Sequence, residues 1–157
     1  SEAGSGTTFN IYIPSAKEDG LGREEVLPEP EHRMGEGRVL MIEDDVTIQK
    51  TARKILRLLG YDVIIAENGL RGIELFRERR HEIDAVILDM VMPKRSGKET
   101  FVELKKMDPG VRVLVSSGFR NDSRIDEVLA MGARGFLQKP YTIEQLSMEL
   151  SKVIKGG

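Results

Sequence analysis

Short apolar runs alternate with longer segments of helical periodicity along most of the chain. Five of these runs are continuous enough to form strands that are buried on both faces of a sheet. Their sequences are RVLMI, YDVIIA, IDAVILD, VRVLVSS and ARGFLQK. After each run, apolar residues recur at three- and four-residue spacing, which predicts an amphipathic helix. Because parallel strands need crossover connections, we expect an α/β fold, a doubly wound five-stranded parallel sheet flanked by five helices.

Several of the predicted helices have local start or stop signals. The first helix starts near Val46 and stops at Gly60. Asn68-Gly69 could form a hairpin turn, but a helical pattern follows it, which favours the start of the second helix. The third helix is predicted over Thr100 to Met107, and the apolar positions of the fourth extend to Met131.

The N-terminal part of the chain has a different composition. Residues 1–14 contain a glycine-rich turn and one apolar strand that ends at a proline. Residues 15–37 are rich in Gly, Pro and Glu and show neither strand nor helix periodicity, which is typical of a flexible linker. The predicted organisation is therefore a strand in 1–14, a linker over 15–37 and a folded domain over 38–155.

Composition narrows the range of partners and compartments. The net charge of −2 gives no electrostatic reason to expect nucleic acid or an anionic membrane as a partner. No basic recognition helix follows the fifth helix, and no apolar run is long enough to span a bilayer. The absence of cysteine excludes disulfides and thiolate metal sites and fits a reducing compartment. We therefore expect a cytoplasmic segment that makes no membrane contact.

Polar residues follow four of the five predicted strands. They are Glu43-Asp44-Asp45, Asp89, Ser116-Ser117 and Lys139. Each has a structural explanation when taken alone: Asp45 fits a helix N-cap, the serines fit a turn and the lysine fits a surface loop. In open parallel sheets, however, the carboxyl ends of the strands form the ligand-binding edge.

These polar residues suggest chemistry when they are taken together. Carboxylates that converge on one edge raise one another's pKa unless a cation neutralises them, and an all-oxygen site suits Mg²⁺. A lysine and a hydroxyl on the far side would serve a bound phosphoryl group. The pattern predicts metal-assisted phosphoryl transfer.

Four motifs resemble those of response-regulator receiver domains, in the same order and spacing. They are VLMIEDD, VILDMVMPKRSG, LVSSGF and GFLQKPY, and the resemblance covers about Arg38 to Lys155. It implies a flavodoxin-like receiver fold with strand order 2-1-3-4-5. It also implies that the domain catalyses its own phosphorylation.

The resemblance assigns roles around the acidic edge. It implies that Asp89 is the phosphoacceptor and takes a phosphoryl group from a phosphohistidine. Asp44 then corresponds to the direct Mg²⁺ ligand and Glu43 to its water-mediated companion. The backbone carbonyl of Val91 corresponds to the third ligand, and Lys139 to the lysine that pairs with the phosphate. The bond from that lysine to the following proline is commonly cis in the family.

The same resemblance assigns the switch. Ser117 corresponds to the hydroxyl that moves to the phosphoryl oxygens, and Phe136 to the aromatic side chain that turns inward. Phe136 lacks a tyrosine hydroxyl, which argues against a switch mediated by that hydroxyl. Val91 and Phe119 lie where polar side chains in some members orient the hydrolytic water. Both are apolar, so we expect a long-lived aspartyl phosphate.

Three other classes of protein fit the sequence less well than a receiver domain. An aspartate-nucleophile phosphatase uses a second Asp two residues after the nucleophile, where this chain has Val91. A dinucleotide-binding domain needs its glycine fingerprint after the first strand, whereas Gly35-Glu36-Gly37 precedes it. A receiver-like binding module that signals without phosphorylation would show no response to Mg²⁺ with a phosphodonor or with a beryllium fluoride mimic.

The N-terminal segment GSGTTFNIYIP resembles the end of the ATP-binding domain of sensor histidine kinases. A kinase tail, a linker and a receiver are the arrangement of a hybrid histidine kinase, and the alternative is a stand-alone response regulator. The resemblance implies a partner that is a histidine kinase core, in cis or in trans, or a histidine phosphotransfer protein. The N-terminal strand or the receiver surface could also pair two copies in a dimer.

Overall fold

A computed structural model describes residues 35–93, 95–118 and 123–156. The predicted N-terminal strand and nearly all of the predicted linker lie outside the described residues. Strands and helices alternate from Arg38 to Lys155. The strands are β1 (Arg38–Ile42), β2 (Asp62–Ala66), β3 (Ala85–Asp89), β4 (Val113–Ser117) and β5 (Gly135–Gln138). The helices are α1 (Val46–Leu58), α2 (Gly69–Arg79), α3 (Gly97–Met107), α4 (Ser123–Ala130) and α5 (Ile143–Lys155), with a 3₁₀ turn at Arg80–Glu82.

The five strands form one parallel sheet in the order β2-β1-β3-β4-β5. The predicted fold class and strand order are therefore confirmed. β1 and β3 lie at the centre, where Ile42 pairs with Leu88, and the next residue of β3, Asp89, pairs with Ser116 of β4. The carboxyl ends of β1, β3 and β4 consequently meet at one edge of the sheet.

Each face of the sheet is covered by a separate apolar core, because successive side chains of a strand point to opposite faces. Leu40 and Ile42 of β1 contribute to one core, which includes Phe76 and Phe101 from the helices. Val39 and Met41 contribute to the other, with residues of α1 and α5. The sheet is therefore packed on both faces, and this packing fixes the positions of the side chains at its carboxyl edge.

The first two helices begin and end where the local signals predict. Asp45 is the N-cap of α1 and accepts hydrogen bonds from the amides of Thr47 and Ile48. Gly60, just past the C-cap of α1, has a φ of +92°, a left-handed conformation that favours glycine. Asn68 is the N-cap of α2, so the interpretation of Asn68-Gly69 as a helix start is confirmed.

Other boundaries differ from the sequence-based expectation. α3 begins at Gly97 rather than Thr100, because Ser96 and Glu99 form a reciprocal capping box one turn earlier. The prediction that Met131 lies on the fourth helix is wrong. α4 ends at Ala130, and Gly132 turns the chain with a φ of +98°. In the part of the chain that the structure describes, no helix is long and apolar enough to cross a bilayer.

Candidate functional site

The end of β1 carries the acidic residues Glu43, Asp44 and Asp45, which have different surroundings. Glu43 is almost fully buried, and its Oε1 lies 3.3 Å from the amide of Asp45, which donates to it. The carboxylate of Asp45 turns away to cap α1, and hydrogen bonds from the amides of Ile48 and Thr47 hold its pKa below the ordinary value. Asp45 is therefore a structural cap, as predicted from the sequence.

Asp89 is the last residue of β3 and is buried, with 5% of its surface exposed. Its Oδ1 accepts a hydrogen bond of 3.2 Å from the amide of Val91, so the turn after β3 fixes one oxygen of the carboxylate. The side chain of Val91 is 47% exposed and apolar. Asp89 thus presents its second oxygen to the residues across the edge of the sheet.

Lys139 joins the ends of β1 and β3. Its Nζ lies 2.6 Å from Oε2 of Glu43 and 2.9 Å from Oδ2 of Asp89. The lysine side chain is only 15% exposed, and it follows the last residue of β5. The Lys139–Pro140 bond is cis, as the receiver resemblance implies. One ammonium group is therefore shared by two buried carboxylates from different strands.

One ammonium group does not balance two carboxylates, and burial and hydrogen bonding together shift the pKa of both Glu43 and Lys139. Burial raises the pKa of Glu43, the nearby Asp89 carboxylate adds to the rise, and the hydrogen bond from Lys139 offsets it only in part. Burial alone would lower the pKa of Lys139. Its hydrogen bonds with Glu43 and Asp89 outweigh burial, so the pKa of Lys139 is raised above its ordinary value. An additional cation would stabilise the ionised site.

The carboxylates of Glu43, Asp44 and Asp89 form the acidic cluster that such a cation needs. One oxygen from each lies within 4.8 Å of the other two, and Asp44 reaches solvent while the other two are buried. All of the donors are hard oxygens, and an ion would keep an open side toward solvent, as Mg²⁺ requires for its retained waters. The donor set fits Mg²⁺.

Ser117 and Phe136 lie on adjacent strands beside this cluster. Ser117 ends β4 and is fully buried, and its carbonyl accepts a hydrogen bond from the amide of Lys139. Phe136 is on β5, half-buried, and packs against the core that also contains Leu88. Ser116 is a buried strand residue, as expected from the sequence. Phe119 lies outside the described residues.

An apolar pocket of about 360 Å³ opens between α1 and the segment after β5. Ile48 and Ile55 line one wall, and Pro140 and Tyr141 line the other. Lys139 also borders it, so the pocket is continuous with the acidic site. Burial raises the pKa of Tyr141.

Sequence reasoning missed Gln49 of α1. Its side-chain amide donates a hydrogen bond of 2.7 Å to the backbone carbonyl of Glu43 and so ties the helix to the acidic turn. Gln49 and Glu43 are six residues apart, and no sequence motif with that spacing predicts this contact.

The fold and the site define a class: a doubly wound α/β domain whose carboxyl edge joins an acidic cluster to a buried lysine. The chain matches the Response regulator receiver domain family over residues 39–151, and it belongs to that family. It is therefore a receiver domain of two-component signalling, homologous to CheY and to the response regulators.

Individual proteins are similar to this chain over different lengths. The sensor kinase CckA of Brucella abortus is 29% identical over 99% of this chain, which spans 17% of CckA. The chemotaxis protein CheY of Thermotoga maritima is 29% identical over 75% of this chain and 98% of its own length. A crystal structure of a response regulator receiver domain protein from Clostridium thermocellum superposes with a TM-score of 0.73. The two sequences are 32% identical, and the superposition covers 76% of this chain and 95% of the Clostridium thermocellum chain.

Proposed function

We propose that this receiver takes a phosphoryl group from a phosphohistidine onto Asp89 in a Mg²⁺-dependent reaction. The observation that carries the proposal is the position of Lys139 Nζ, 2.9 Å from Asp89 Oδ2 and 2.6 Å from Glu43 Oε2. This geometry orients one carboxylate oxygen of Asp89 and places a positive charge where phosphoryl oxygens would develop negative charge.

Asp89 acts as the nucleophile. A carboxylate oxygen of Asp89 attacks the phosphorus atom, the bond from phosphorus to the imidazole nitrogen of the donor breaks, and its electron pair stays on that nitrogen. Lys139 then moves with the transferred oxygens and remains within ion-pair reach of the new acyl phosphate. When bound, Mg²⁺ would neutralise negative charge on those oxygens, held by Asp44, Asp89 and the carbonyl of Val91, with Glu43 acting through water.

The new phosphoryl group changes the face formed by β4 and β5. It adds strong acceptor oxygens, which recruit the Ser117 hydroxyl. Movement of Ser117 then makes room for Phe136, which is half-buried, to turn inward. The output of the domain is this two-state surface.

The donor is a protein that carries a phosphohistidine: a histidine kinase core or a histidine phosphotransfer protein. The apolar pocket supports a macromolecular donor, because Lys139 of the acidic site borders it and an exposed apolar surface beside a site is typical of a protein interface. For the whole protein we propose a hybrid histidine kinase, since the similarity to CckA extends over 99% of this chain. The reading frame upstream of Ser1 tests this context: a histidine kinase core encoded there would support it.

A stand-alone response regulator is the second candidate. It is favoured by the similarity to Thermotoga maritima CheY over 98% of that protein. An upstream frame without kinase sequence would support this candidate over the hybrid kinase.

The phosphorylation proposal is tested with Mg²⁺ and beryllium fluoride. We expect backbone amide shifts around Asp89, Ser117 and Phe136 in two-dimensional NMR spectra of the full chain, and we expect Asp89→Asn to abolish them. Phosphorylation with a small-molecule phosphodonor should label the wild-type chain and not the Asn variant. A wild-type chain that responds to neither reagent would refute the proposal and favour a binding module that signals without phosphorylation.

A further inference from the structure

Gly97, the first residue of α3, lies against the end of β3. It is buried, and its amide lies 3.3 Å from the carbonyl of Met90, to which it donates. A Cβ placed on Gly97 would lie 2.5 Å from the backbone oxygen of Asp89 and 2.6 Å from the Cα of Met90. Such separations are too short for atoms that are not bonded to each other, so this approach requires glycine.

The atoms that face Gly97 belong to a backbone that cannot move freely. Asp89 is paired with Ser116 of β4, and the amide of Met90 donates a hydrogen bond of 2.9 Å to the carbonyl of Ser116. The side chain of Met90 is fully buried. A methyl group on residue 97 would therefore displace either α3 or the turn that contains Asp89, Met90 and Val91.

That turn contains the groups on which the site depends. The Asp89 carboxylate is oriented by the amide of Val91 at 3.2 Å and by the ammonium of Lys139 at 2.9 Å. Displacement of the turn would change the distance from the Asp89 carboxylate to the Lys139 ammonium, and it would move the amide and carbonyl of Val91 together with that carboxylate. Asp44, on the separate turn after β1, would stay in place.

We infer that Gly97 is a positioning residue: the absence of a side chain there sets the place of the Asp89 carboxylate and the Val91 carbonyl relative to Lys139. The inference rests on the proposed function for its effect on phosphorylation, but its effect on geometry exists without metal or phosphate. Misplacement of a reacting group by about 1 Å can cost on the order of a hundredfold in rate.

Gly97→Ala in the full chain tests the inference, with Gly72→Ala as the matched control. A Cβ on Gly72 would also collide with a packed neighbour, but that neighbour is the side chain of Ile42 rather than the backbone of the site. The two variants are compared at equal folded fraction, set by urea unfolding. One molar trimethylamine N-oxide is added where needed, because it favours the folded state.

We expect Gly97→Ala to shift the Val91 amide resonance in metal-free protein and to weaken Mg²⁺ binding. We also expect phosphorylation by a small phosphodonor to slow by roughly tenfold to a hundredfold. Gly72→Ala should lower stability while it leaves the Val91 resonance, the Mg²⁺ affinity and the rate near the wild-type values. The Val91 resonance is read without metal or phosphodonor, so it tests the inference even if the wild-type chain proves unable to take a phosphoryl group.

Two results would overturn the inference. One is an alanine variant whose Val91 resonance and Mg²⁺ affinity match those of wild type or of the Gly72 control. The other is an alanine variant that stays unfolded in trimethylamine N-oxide, which would assign Gly97 to core packing alone.

Discussion

The ammonium group of Lys139 lies 2.9 Å from a carboxylate oxygen of Asp89, at the end of a strand 50 residues earlier in the chain. The same ammonium lies 2.6 Å from Glu43. Two buried carboxylates therefore depend on one cation for charge compensation. Because of this dependence, we expect Lys139 to stabilise the folded domain and the two carboxylates to favour binding of a second cation.

Lys139→Ala should destabilise the metal-free domain strongly. Removing one partner from a buried ion pair leaves uncompensated charge, which typically costs about 3–5 kcal/mol in the free energy of unfolding. Saturating Mg²⁺ should restore part of this loss, because the metal supplies the missing positive charge to Asp89 and the acidic pair. Urea unfolding in EDTA and in Mg²⁺ measures both effects.

Lys152→Ala is the matched control for this experiment. Lys152 also pairs with a glutamate, but its side chain is 59% exposed and the pair lies within α5. An exposed pair of this kind contributes about 0–1 kcal/mol, and Mg²⁺ should not change its contribution. A Lys139 variant as stable as the Lys152 variant in EDTA would show that the carboxylates do not need the ammonium.

Glu43→Gln should reveal a pH dependence that comes from Glu43. The pKa of Glu43 is raised above its ordinary value of 4.5 in the folded chain, chiefly by burial. The folded state therefore binds this proton more tightly than the unfolded state does. The resulting stabilisation is complete below pH 4.5 and is lost as the pH rises through the raised pKa.

The difference in unfolding free energy between wild type and Glu43→Gln should accordingly fall as the pH rises through that window in EDTA. In saturating Mg²⁺ the slope should flatten, because a bound cation favours the ionised carboxylate. Denaturant unfolding between about pH 4 and pH 8 gives both slopes. A difference that grows with pH in EDTA would contradict the raised pKa.

The apolar pattern was sufficient to predict the fold, because five buried strands and five amphipathic helices leave few alternatives for a parallel sheet. The motif positions likewise predicted that Glu43, Asp89 and Lys139 would converge. Their convergence follows from the sheet order, since each residue directly follows or ends a strand at the same edge. The expected helix cap at Asp45 is confirmed, since its carboxylate accepts hydrogen bonds from the amides of α1.

The sequence could not predict which carboxylates share the lysine. The resemblance assigned Glu43 a contact with metal through water, and the buried hydrogen bond from Lys139 to Glu43 depends on side-chain reach across two strands. The contacts of Gly97 and Gln49 were missed for a similar reason: they are distances between elements, not patterns along the chain. The early start of α3, by contrast, had a usable signal in the Ser96–Glu99 capping box.

Ser117→Ala should separate phosphorylation from switching. The variant retains Asp89 and Lys139, so we expect it to accept a phosphoryl group. It lacks the hydroxyl that would follow the phosphoryl oxygens, so the shift at Phe136 should be lost or strongly reduced. NMR spectra with beryllium fluoride, alongside a phosphorylation assay, measure the two steps separately.

Ser116→Ala is the control for the switch experiment, because it removes a hydroxyl from the neighbouring residue of β4, whose side chain points to the opposite face of the sheet. It should leave the response at Phe136 close to that of wild type. If both serine variants kept the full response, the switch would not depend on the hydroxyl of Ser117.

Val91→Asn should shorten the lifetime of the aspartyl phosphate. Val91 lies two residues after Asp89, its side chain is 47% exposed, and it has no polar group to orient an attacking water. An asparagine there could hold such a water in line with the phosphorus atom, which favours hydrolysis. The chain is loaded with a small phosphodonor, the donor is removed, and the decay of the phosphorylated form is timed. Val91→Ala controls for the loss of the valine side chain and should decay at nearly the wild-type rate. Slower decay in the Asn variant than in wild type would count strongly against the role given to the apolar side chain.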